Sequence, residues 1–365
     1  MPNKLTRIET LLLTFWTIMG TGILAIPFAI GHFTTRDGWL SPLFLPLPGL
    51  AMVVVAVIYT RFNQDNLVRS LHQSLGRFIG GAIGLWYTLC LFLITATVWR
   101  ELVEFMGTTV YPDTPIPILS SVLIFPISYG VFKGIKSIGS FSEFLAPLAL
   151  LVTTAVVLFS TTNLHINSLF PTLADGWKPV LRGSIVPSIT YALEPLVVLQ
   201  LVQDLNSRKT LGRDLVLALL FVVTALVLIE VIVIGILGSS VGELTYPILE
   251  VIRAISVGDF IERLDTFYVM GVLSTIYIKL AVFHYAFCKA LEELFRLSSY
   301  RVAVWSGALA AWAGSIFLFS DANSVAEFIT FATPAYFILT LLCTPLLPSM
   351  RQMFRKKPRS EASSG

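Results

Sequence analysis

Three ionisable side chains fall deep inside apolar stretches of this 365-residue chain: Lys279, Glu230 and Glu194. On insertion scales one such residue at a membrane helix centre costs roughly 2.5–3.5 kcal/mol, so it normally faces protein and meets a partner. Either Glu230 or Glu194 could be the acid that Lys279 meets. Such a pair can simply fix helix packing. It can also supply a fixed positive charge at a site, with Glu194 as a proton relay. Tyr87 and Tyr277 lie in apolar stretches too and are candidate cavity hydroxyls, or packing residues. Two stretches are interrupted. One reads Gly20-Thr21-Gly22-Ile23-Leu24 with Pro27 a turn later, the other Ser188-Ile189-Thr190-Tyr191-Ala192-Leu193-Glu194-Pro195. Glycine makes unwinding cheap, and proline denies a helical hydrogen bond. Unwound backbone at that depth must face protein or a watery cavity. The other reading of the glycines is close helix packing.

These residues need a membrane scaffold. Hydrophobic residues make up 55% of the chain, charged residues 13%, and the mean hydropathy is +0.81. A soluble domain carries about a quarter charged residues, so a soluble enzyme, a nucleic-acid binder and a disordered scaffold are excluded. About 20 apolar residues cross a bilayer, and ten stretches qualify: Ile8–Gly31, Leu40–Thr60, Phe78–Phe105, Ile116–Phe132, Phe141–Ser160, Gly183–Val202, Leu215–Ser240, Leu264–Cys288, Val302–Phe319 and Val325–Leu347. Lys4 and Arg7 precede the first, but Leu24-Ala25-Ile26-Pro27 is a poor cleavage site, so the segment is expected to be kept as a span. Helices are the default at these lengths. With ten spans, 18 of the 25 Lys and Arg fall on the side of both termini and 6 on the other, which predicts cytoplasmic termini. The expected organisation is a single all-α transmembrane domain, with halves at about 8–160 and 183–347 and a basic cytoplasmic tail at 348–365. The interrupted spans one and six hold corresponding places in two five-helix halves, the best sequence pointer to a midplane site of transporter type. Half-helix N-termini there suit a carboxylate, and freed carbonyls suit a cation.

Cys90, Cys288 and Cys343 stand apart, and His32, His72, His165 and His284 lie in four separate segments, so neither a disulfide nor a metal site is expected. No nucleophile–base pair or cofactor loop is visible, so neither an enzyme nor a cofactor is expected. Between spans seven and eight, Ile248, Val251, Ile252 and Ile255 recur at helical spacing and predict a short amphipathic helix. Its charges suit an external gate or a protein contact, or a solvated connector.

The order Gly-Thr-Gly-Ile-Leu-Ala-Ile-Pro (20–27), Asp37-Gly38-Trp39, Tyr-Pro-Ile-Leu-Glu…Arg (246–253) and Asp-Phe-Ile-Glu-Arg-Leu-Asp (259–265) resembles the B subunit of bacterial spore germinant receptors. That family is a branch of the amino acid–polyamine–organocation superfamily, and the resemblance runs over about residues 5–350. It implies ten helices in a five-plus-five inverted repeat with discontinuous helices 1 and 6, and a place in the spore inner membrane. It implies A-type and C-type partner subunits and recognition of a small germinant, typically an amino acid. By position, Gly20, Thr21, Gly22 and Ile23 would line the pocket from span one, and Thr190, Tyr191 and Ala192 from span six. The ligand carboxylate is then expected on the backbone N–H groups near Gly22 and Ile23. Two features depart from the branch: Ala192-Leu193-Glu194 stands where Gly-x-Glu is frequent, and Lys279 is not an expected charge. The leading expectation is a germinant-receptor subunit. A proton-coupled amino acid permease and an assembly protein with a vestigial pocket are the alternatives.

Overall fold

The computed structural model describes residues 4–34, 36–254 and 264–355, and every regular element among them is helical. The elements are α1 (Arg7–Gly31), α2 (Gly38–Phe62), the short α3 (Leu67–Leu75), α4 (Arg77–Thr109), α5 (Ile116–Lys133) and α6 (Ile135–Ser160). There follow α7 (Trp177–Asp204), α8 (Leu211–Glu243), the short α9 (Pro247–Ala254), α10 (Leu264–Phe295), α11 (Arg301–Phe317) and α12 (Ala322–Met353). Nine of the described helices are long and apolar enough to cross a membrane. The ninth expected span is present as α11, at 17 residues a helix of about 26 Å. The protein is a multi-pass membrane protein.

Burial orders the bundle. The most apolar window of α7 is 89% buried and that of α1 67%, whereas that of α6 is 11% buried. So α7 and α1 form the centre and α6 the rim. The N-terminus of α1 is a capping box: Thr6 Oγ1 accepts from the Glu9 amide at 3.2 Å, and the Glu9 carboxylate accepts from the Thr6 amide at 2.8 Å. Glu9 is fully buried and also takes Lys136 Nζ of α6 at 2.6 Å, while Arg7 reaches Asp214 of α8 at 2.8 Å. A parallel bridge joins Leu5 to Leu205, through Leu5 N to Asp204 O and Asn206 N to Leu5 O.

The expected break in span one is corrected by the structure. α1 runs as unbroken α-helix from Arg7 to Gly31, through Gly20-Thr21-Gly22 and past Pro27. Its glycines serve packing instead. A Cβ on Gly20 would stand 2.7 Å from Lys279 Cβ and 3.0 Å from the Thr275 carbonyl oxygen, so only glycine lets α10 approach this closely. The expected irregularity in span six is present. α7 is α-helical over Trp177–Val186, widens to a π turn at Pro187–Tyr191 and tightens to 3-10 helix over Glu194–Asp204. Pro187 and Pro195 each remove a ladder donor there. α12 is irregular as well, with π turns at Phe328–Ala332 and Ile338–Cys343 on either side of Pro334.

The short amphipathic helix expected after span seven is α9, with Ile248, Val251 and Ile252 buried and Glu250 paired to Arg253 at 2.9 Å. Ile255, the motif at 259–263 and the tail beyond 355 lie outside the described residues. α3 has no counterpart among the expected elements, because nine amphipathic residues following a span read as a loop.

The Gly20 contact makes a testable statement. Gly20→Leu should destabilise the protein by about 1–3 kcal/mol through overpacking, read as a lower Tm of the purified chain. Gly271→Ala on α10, where a Cβ meets nothing within 4 Å, should leave the Tm unchanged or raise it.

Candidate ligand site at the crossing of α1, α7 and α10

Lys279 projects from α10 with 1% of its surface exposed. Its Nζ donates to both carboxylate oxygens of Glu194 at 2.8 Å and to Thr21 Oγ1 at 2.9 Å. An ammonium carries three donors, so these three acceptors saturate it. The Tyr191 ring centroid lies 4.9 Å from the same Nζ, within cation–π range. Thus the acid that meets Lys279 is Glu194. Glu230 of α8 is fully buried, makes no ion pair among the described residues, and has neither carboxyl oxygen hydrogen-bonded. It stands beside Gly38, where a Cβ would be 3.6 Å from Glu230 Oε2.

Next to the pair is a small cavity with room for about one water-sized group. Four elements wall it: Thr21 from α1, Thr97 and Glu101 from α4, Thr190, Tyr191 and Glu194 from α7, and Phe328, Tyr336 and Phe337 from α12. The hydroxyls of Thr190 and Tyr191 are buried without a hydrogen-bond partner. Thr190, Tyr191 and Phe328 belong to π turns, and Glu194 follows the one in α7. A π turn widens the backbone and turns side chains that a regular helix would stack.

The profile of a family described as "Spore germination protein" matches residues 4–324. The chain belongs to this spore germination protein family. Among its relatives, Spore germination protein A2 of Bacillus subtilis (strain 168) is 24% identical over 95% of this chain and 94% of its own length. Spore germination protein KB of the same strain is 26% identical over 76% of this chain and 75% of its own length. In fold, the chain is similar to MhsT in complex with L-phenylalanine, with a TM-score of 0.70 at 16% identity over 94% of this chain and 88% of that one. It is also similar to a mutant of the Eremococcus coleocola manganese transporter, with a TM-score of 0.64 at 10% identity, over 97% of this chain and 88% of that one. This member of the spore germination family therefore has a transporter fold.

Of the residues singled out from the sequence, the structure gathers Thr21, Thr190, Tyr191, Glu194 and Lys279 in one place. Gly20 packs on the Lys279 stem, and Gly22 sits near Ile26 and Tyr191 without lining the cavity. Ile23 is half-buried and Ala192 is buried in the core. Two tyrosines are placed elsewhere, which corrects their reading as cavity hydroxyls. Tyr87 is buried in α4 with its hydroxyl unpartnered, and Tyr277 donates to the Pro126 carbonyl of α5 at 3.0 Å. A further correction concerns a ligand carboxylate. The amides near Gly22 and Ile23 belong to the unbroken ladder of α1 and are not free to receive it.

Sequence reasoning passes over Glu101. It sits near the end of the third span, in the run Arg100-Glu101-Leu102-Val103-Glu104, and reads there as an interfacial charge. Arg100 turns away from the cavity. It pairs with Glu104 at 2.7 Å and donates to the carbonyls of Ser315, Phe319 and Ser320 at the end of α11. One residue on, about 100° around the helix, Glu101 shares a face with Thr97 and Ile94 and reaches the cavity. That i, i+3, i+7 register of Ile94, Thr97 and Glu101 is the available signal.

Breaking the Lys279–Glu194 pair leaves one buried charge uncompensated, which costs about 3–5 kcal/mol. Lys279→Met and Glu194→Leu should each lower the Tm of the purified protein sharply. The double substitution should recover most of the loss. Additive losses in the double variant would show that the two side chains do not act on each other.

Proposed function

We propose that this protein is the ligand-recognising B-type subunit of a germinant receptor. A small germinant, an amino acid on this reading, binds at the cavity between α1, α4, α7 and α12, which has to widen to admit more than one water-sized group. The proposal rests on one observation: the polar groups at the irregular stretch of α7 converge on a cavity beside a saturated, buried ion pair. Family membership and the likeness to a transporter holding L-phenylalanine support it.

On this reading the chain performs no catalysis. It sits in the spore inner membrane with both termini cytoplasmic, beside A-type and C-type subunits, and its halves at about 8–160 and 183–347 form an inverted repeat. Lys279 supplies a fixed positive charge at the helix crossing, and Glu194 balances it. Binding favours one of two arrangements of the bundle, by no more than the ligand's differential affinity for them, and the partners convert that bias into germination.

Thr190→Phe would fill the cavity from α7. Spores carrying it at normal abundance should lose the response to one germinant, read as loss of refractility against single amino acids, while other responses persist. A full response would remove the cavity from the mechanism. The transporter fold favours a second reading, a proton-coupled permease. In liposomes with an imposed proton gradient the protein should not concentrate radiolabelled amino acid; accumulation would establish the permease instead.

A further inference from the structure

Within the cavity the charges do not balance. Lys279 is spent on Glu194 and Thr21, and Glu101 makes no ion pair among the described residues. Two carboxyl groups thus face one ammonium, Glu194 buried and Glu101 half-buried, and an acid without its own counter-charge is costly to the extent that it is shielded from water. The remaining polar groups at the cavity include the hydroxyls of Thr97, Thr190 and Tyr191, of which the last two have no partner. Hydroxyls can accept from an ammonium. No lysine or arginine is among the described residues that wall the cavity, Lys279 beside it is saturated, and the α1 amides are used within the helix. The open space matches a water, hence also one –NH3+ group, and Phe328 and Phe337 offer an apolar wall on the irregular α12.

We infer that the cavity selects a small primary amine, seated with its ammonium on Glu101 and its apolar body against α12, and that a carboxylate on the ligand is dispensable. This rests on the ligand-pocket reading above and names the chemistry that the pocket recognises. An amino acid binds there through its amine.

The test uses the purified full-length protein in nanodiscs and isothermal titration. The probes are L-alanine, L-valine, L-leucine and L-phenylalanine, each with its decarboxylated amine and its deaminated acid, and ammonium chloride at constant ionic strength. For at least one side chain the amine should bind as the amino acid does, and the acid should not. Glu101→Gln should weaken that binding roughly ten- to a hundredfold, the effect of losing a charge-assisted hydrogen bond. Glu101→Asp, which keeps the charge, should retain the preference for amines, and Thr190→Phe should abolish binding. Three outcomes overturn the inference and leave the pocket standing: an acid that binds as well as its amine, unchanged affinity in a folded Glu101→Gln protein, or ammonium chloride competing as strongly as any organic amine. If no probe binds the wild-type protein, or if Thr190→Phe binds normally, the pocket reading itself fails.

Discussion

One buried ion pair organises the centre of this protein. Lys279 and Glu194 are each almost wholly shielded, in a molecule whose surroundings are hydrocarbon. Neither charge could stay there alone, because removal from water costs several kcal/mol per ion and only good geometry repays it. The pair is therefore also a constraint. It holds α10 against the one stretch of α7 where the helix changes from π to 3-10 geometry, and Thr21 brings α1 to the same point. Gly20 permits this, since any side chain on it would displace the Lys279 stem. Sites in membrane proteins are commonly built where helices lose regularity, because irregular backbone at that depth has to be sheltered by protein.

The cavity has walls of two kinds. On one side are α1 and α7, the most buried helices, with α1 also tied at its N-terminus to α6 through Glu9–Lys136 and to α8 through Arg7–Asp214. On the other side is α12, whose two π turns flank Thr333–Phe337. A ligand held by Glu101, Thr190 and Tyr191 would press on the less regular wall. Such an asymmetry suits a protein that reports occupancy, because a bias on one element can pass outward while the pinned core stays in place. Glu230 stands apart from this arrangement. Its buried carboxyl group, without a hydrogen bond beside Gly38, takes no part in the site described.

Much of the scaffold is legible from residue types alone. Apolar length locates the spans, since backbone groups in lipid must pair within their own segment. The run from Ser188 to Pro195 announces the irregular stretch of α7, because hydroxyls, an acid and a proline have no place in a helix that only spans. The glycines at 20 and 22 are ambiguous for a physical reason. The absence of a Cβ serves unwinding and close packing equally, and at Gly20 only the position of Lys279 decides for packing. Glu101 escapes notice because an acid near a span's end is ordinarily interfacial, and which way it faces depends on how α4 is rotated against α12.

The sequence by itself determined that this chain lives in a membrane, that its span six is interrupted, and that a buried lysine needs an acid. Hydropathy and the cost of an unpaired charge are local properties, readable from composition and spacing. It offered two acids for that lysine and could not choose between them. Tertiary structure chose Glu194, left Glu230 alone, kept α1 whole, and turned Glu101 and the aromatic residues of α12 toward one cavity. Those outcomes depend on helix rotation and on distances of a few ångströms between segments far apart in the chain, and such quantities exist only once the helices have packed.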